Sequence, residues 1–118
     1  EVQRVQQAQI IHEFVAQILA IDTEAKVIVL GDLNDFPWSL PVQTLAGQEL
    51  ENLIERLPEN ERYTYLYEGN AEVLDQILVS QSLTENVDYF EIVHINAEML
   101  PAMRLSDHDP VIAVFTFE

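Results

Sequence analysis

Residues 26–35 read KVIVLGDLND, and the meaning of that run decides the fold. Val27, Ile28, Val29 and Leu30 are consecutive and apolar, and three of them are β-branched. Such a run predicts a strand covered on both faces rather than one alternating between core and water. Gly31 ends it, and Asp32, Asn34 and Asp35 crowd its carboxyl end. Extended backbone sends residues i and i+2 to the same side, so Asp32 and Asn34 are expected to share one site. In open α/β sheets ligands bind beyond the carboxyl ends of strands. Taken alone, the run reads more simply as a strand entering a polar turn built on Asp and Asn.

Upstream, residues 3–21 predict an amphipathic helix with Ala8, Ile11, Phe14, Val15, Ile18 and Leu19 on one stripe. Ile10 falls off that stripe, and His12 is expected at the surface. Downstream, Pro37 and Pro41 bracket a loop, and Pro41 is placed to open a short helix reaching about Ala46. Trp38 reads as a buried anchor, the commoner use of a lone tryptophan, over a lid at a site mouth. Leu50, Leu53, Ile54 and Leu57 recur at helical spacing until Pro58. YTYLY at 63–67 and EVLDQILVS at 72–80, joined by Glu68-Gly69-Asn70, predict a β-hairpin over 63–80. Asp75 interrupts the apolar run of its second arm, and carboxylates are rare in core strands unless paired. One helical turn over 80–85, a strand over 87–96 with His94 as a partly exposed or hydrogen-bonded strand residue rather than a ligand, and a final strand over 111–117 complete the chain. Met99 and Met103 lie in the loop before that strand and read as gap-filling side chains.

The length of 118 residues suits one domain, and 48% hydrophobic residues allow a real core. No apolar stretch is long enough to cross a membrane. Because residue 1 is Glu, the chain is expected to be a piece of a longer protein. There is no Cys, which excludes disulfides and thiolate metal sites. Five Lys and Arg against 21 Asp and Glu give a net charge of −16. That field opposes non-specific nucleic-acid binding by the chain alone and favours divalent cations. A solvated acidic surface accounts for most of these carboxylates.

Three blocks in order, GDLND at 31–35, LDQILVS at 74–80 and SDHDPV at 106–111, together resemble the endonuclease/exonuclease/phosphatase superfamily. The stretch GNAEVLDQILVS at 69–80 is similar to the secreted bacterial nuclease branch of that superfamily. The absence of Cys fits a secreted or extracytoplasmic bacterial setting without establishing one. The resemblance implies an α/β fold: one mixed β-sheet with helices on one face, half of a DNase I-like four-layer α/β sandwich. It implies that Asp32 orients or deprotonates the attacking water and that Asn34 donates to the scissile phosphate. Asp107 would help hold Mg²⁺, with Mn²⁺ or Ca²⁺ as alternatives. His108 would contact a phosphate oxygen, with Asp75 fixing and charging its imidazole. Val73 and Gln76 beside Asp75 depart from the abasic-site nucleases, and the lack of Cys departs from the inositol polyphosphate phosphatases.

The family domain is longer than this chain, and its first half supplies a metal-binding Glu, an Asn and a further His or Tyr. Residues 1–118 therefore resemble the C-terminal half, with the N-terminal half as the expected partner. The second sheet face is expected to be apolar, and either exposed, covered by that half or buried in a homodimer. The function implied is a divalent-metal-dependent phosphodiester hydrolase of the nuclease kind, weakly active or inactive as a half. A phosphomonoesterase or other phosphodiesterase, and a non-catalytic acidic interaction domain, stand as alternatives.

Overall fold

The computed structural model describes residues 2–117. Helix α1 spans Val2–Ile21 and strand β1 spans Ile28–Asp32. A short helix, α2, covers Leu40–Ala46; Pro41 lies in its first turn and the Ser39 side chain accepts from the Val42 amide. An N-cap oxygen and a proline at the start are what begin such a helix. Strands β2 (Leu50–Asn52), β3 (Tyr65–Tyr67), β4 (Asn70–Glu72), β5 (Asp75–Ser80), β6 (Val87–Ile92) and β7 (Val111–Phe115) follow.

The molecule is of the α/β class expected. In place of the one mixed sheet expected, every ladder among the described residues is antiparallel, and the strands divide among three of them: β1-β5-β2, β3-β4 and β6-β7. Ala8, Val15, Leu45, Leu50 and Leu78 make one core cluster, which places both helices on one face of the three-stranded sheet. Ile77 and Val79 point to the other face and pack with Leu53 and Leu83 against Phe90, Val111, Ala113 and Phe115 of the β6-β7 ladder. The result is three layers, helix over sheet over ribbon.

Several sequence expectations change in detail. The central strand is β5, buried along nearly its whole length, whereas β1 is an edge whose Ile28 and Leu30 are 43% and 64% exposed. The run 27–30 is therefore covered on one face: the helices reach Val27 and Val29, and the ribbon stops at β5. The expected apolar second face is thus bare along β1 and covered over β5. The hairpin is confined to 65–72, turning through Glu68 and Gly69, both at positive φ, the backbone that two-residue hairpin turns require. The rest of the expected second arm departs to become β5, because pairing there with β1 and β2 buries both of its faces. Residues 48–57 form β2 and a 3₁₀ turn (Leu53–Arg56) rather than a helix. Short apolar runs fit either period, and the free edge of β5 decides.

In α1 the buried side is narrower than the predicted stripe. Ala8 and Val15 are buried, while Ile11 and Phe14 are 42% and 63% exposed. His12 faces α2 rather than open solvent, its Nδ1 3.4 Å from the Leu45 carbonyl oxygen and its Nε2 3.7 Å from Glu49.

Candidate active site

The β1–β5 register sets Asp32 directly opposite Asp75, just as it sets Leu30 opposite Ile77. Directly opposed side chains share a face. Both carboxylates therefore open on the face away from the helices, at the end of the ladder. The loop before β7 brings His108 to the same place through an isolated bridge to Tyr65.

His108 Nδ1 lies 2.5 Å from Asp75 Oδ2. Its Nε2 faces the other two carboxylates, 4.0 Å from Asp32 and 3.9 Å from Asp107. Burial acts to lower the His108 pKa, but the hydrogen bond and charge of Asp75, reinforced by Asp32 and Asp107, outweigh it. The imidazole therefore titrates above its ordinary value of 6.5. This is an imidazole held by one carboxylate, with its second nitrogen left to face a ligand.

Asn34 arrives by a different route from the one expected. The strand ends at Asp32, and Asn34 sits in a turn at φ 51°. Its amide donates to Asp32 Oδ1 at 2.9 Å, and Arg4 donates to its carbonyl at 3.3 Å. Asn is among the few side chains that tolerate left-handed backbone. Asn34, Asp107 and His108 line one cleft of about 400 Å³ together with Arg4, Tyr65 and Tyr67. Asp32, Asp75 and His108 line a second cleft. The other four residues singled out from the sequence thus line clefts that share His108.

One ligand atom from each of Asp32, Asp75 and His108 lies within 4.8 Å of the others. Asp107 lies outside that triplet. Hard divalent cations prefer carboxylate oxygens and water to imidazole, and Asp75 is already engaged by His108 Nδ1. Asp32 and Asp107, 51% and 54% exposed, are the carboxylates with oxygens free to serve. The donor set fits a hydrated divalent cation held by few protein oxygens.

Several supporting residues carried no signal in the sequence. Thr64 is fully buried, and its Oγ1 accepts from the amides of Leu74 and Asp75. Its carbonyl accepts from the Asp109 amide at 2.7 Å. One threonine so joins the segment carrying Asp75 to the segment carrying His108. Asp109, 2% exposed, accepts from the amides of Asn96 and Ala97 and lies 2.9 Å from His94 Nδ1. Asn96 in turn donates to the His108 carbonyl. His94 is therefore part of the scaffold under the site, stacked on Tyr63 at 3.9 Å. Gln76 is buried between Asn52 and the Asp35 carbonyl, fixing the loop after β1 to β5. Trp38, expected as a buried anchor, is 74% exposed. It stacks on Phe36 in that loop.

Compared with known proteins, residues 1–112 match the family described as Endonuclease/Exonuclease/phosphatase family. No curated protein and no solved structure matched the chain.

Proposed function

Since the chain belongs to the endonuclease/exonuclease/phosphatase family, a family of phosphoester hydrolases, we propose that its reaction is the divalent-metal-dependent hydrolysis of a phosphodiester, in the manner of a nuclease. The observation that carries this reading is His108, bonded to Asp75 through Nδ1 and turned toward Asp32 and Asp107 through Nε2. Water attacking a phosphodiester adds negative charge to the phosphoryl oxygens, and a charged imidazole aimed at them lowers that barrier. Asp75 holds the proton on His108 and fixes the ring. In this reading Asp32 accepts hydrogen bonds from the attacking water and aligns it, and Asn34 donates to the phosphate. Asp32 and Asp107 would hold the cation, which when bound supplies Lewis-acid charge neutralisation.

The exposed Ile28 and Leu30 beside the site support a further element of the reading: residues outside this chain, the first half of the domain, cover that face and complete the site. The net charge of −16 favours small phosphoesters unless that half is basic.

The test is hydrolysis of plasmid DNA and of a small phosphodiester by the protein carrying both halves, with Mg²⁺ and with chelator. Cleavage is expected to vanish with chelator. His108→Ala should lower it by about 10²–10³-fold, the usual size of losing one donor to a developing charge. Asp107→Ala should raise the Mg²⁺ concentration needed for half-maximal cleavage. Tight cation binding with no turnover of diester or monoester would instead make this a non-catalytic acidic interaction domain.

A further inference from the structure

Trp38 is the only tryptophan and stands 74% exposed. Leaving so large an apolar ring in water forgoes favourable burial, yet its position is defined. It stacks on Phe36 with ring centroids 4.9 Å apart and planes 13° from parallel. Phe36 also lines the cleft that holds Asn34, Asp107 and His108. On its other side Phe36, Trp38 and Arg62 line an adjoining cleft of about 650 Å³. The stacked pair therefore stands at the junction of the candidate catalytic cleft and its neighbour.

Charge sharpens the ligand. In a chain with only five Lys and Arg, Arg4 borders the first cleft beside His108, while Arg62 on the second is held by the Leu57 and Glu55 carbonyls. A ligand with a phosphate beside a flat ring matches that combination. Phe36 covers one face of the Trp38 indole and holds the ring in place, and the ring left exposed suits stacking of a planar heteroaromatic. A quaternary ammonium group is held instead by aromatic side chains that surround it as a cage. Glu55, Glu59 and Glu72 on the second cleft offer acceptors for the exocyclic amino groups of a base.

We propose that Phe36 and Trp38 form a stacking platform for an unpaired nucleobase joined to the phosphate at His108. The inference rests on the phosphodiesterase reading and narrows its substrates to nucleotide diesters whose base is accessible, as in single strands.

Because Trp38 is the only indole, its fluorescence reports the platform without any turnover. The full chain is titrated with adenosine 5′-monophosphate, ribose 5-phosphate and phosphocholine, with and without Mg²⁺. Saturable quenching by the nucleotide and none by the sugar phosphate is expected. Phe36→Leu, which keeps the fluorophore, should weaken the nucleotide's apparent affinity about tenfold, equivalent to about 1.4 kcal/mol and within the range of one base–aromatic stack. Absence of saturable quenching in either condition overturns the platform, as does an equal response to ribose 5-phosphate. A response to phosphocholine without one to the nucleotide also overturns it, in favour of a cation site. Failure of the catalytic reading is read separately: quenching in a protein that cleaves no diester keeps the platform and removes the hydrolase, whereas cleavage without quenching removes the platform alone.

Discussion

At the residue scale the decisive group is His108, whose raised pKa follows from three surrounding carboxylates. A group titrating higher in the folded than in the unfolded chain stabilises the fold when protonated. That stabilisation is complete below the ordinary value of about 6.5 and is lost as pH rises through the folded value. Asp75→Asn removes the hydrogen-bonded charge and leaves the burial, so the His108 pKa should fall. An NMR titration of the imidazole reads this directly, and an unchanged pKa would exclude Asp75 as the group that charges His108. The candidate site residues were legible because each stood out as a polar group at an apolar strand's end and three motif blocks recurred in order. Thr64, Asp109 and Asn96 were not, because a hydrogen bond between segments ten or more residues apart leaves no mark in local sequence.

At the element scale, α1, α2 and the strands beginning at Ile28, Val87 and Val111 follow from local signals: a long periodic segment, a cap with a proline, and β-branched runs. Residues 50–57 do not, since their period suits a helix while the edge of β5 claims them. The junction is enforced by Gly47, which ends α2 at φ 52°, with the His12 imidazole crowding the place where a Cβ would stand. Gly47→Ala should therefore destabilise the chain by about 1–2 kcal/mol from left-handed backbone alone, with more from the crowded imidazole. Urea unfolding of Gly47→Ala, alone and with His12→Ala, separates the two: the double variant should recover the steric part only. No loss of stability in the single variant would mean that this turn is not constrained.

At the scale of the whole molecule, the −16 charge sets the physical chemistry of the surface. Self-repulsion at that density opposes compactness, and salt relieves it, since the Debye length falls from about 30 Å at 0.01 M to about 3 Å at 1 M. The thermal midpoint should rise by at least about 4 °C over that range of NaCl, a gain of about 1 kcal/mol. A flat or falling midpoint by calorimetry would show that paired charges such as Arg56–Glu51 outweigh repulsion. The sequence by itself determined the α/β class, the first helix, the first strand and, through three ordered motif blocks, five polar candidate residues, because periodicity, capping and motif order are properties of the chain read along its length. Tertiary structure alone decided that Asp32 stands opposite Asp75, that β5 is central, that Trp38 faces solvent and that His108 sits among its carboxylates. Each of those depends on strand register and on which edge is free, and both are settled by burial across the whole fold rather than by any local stretch.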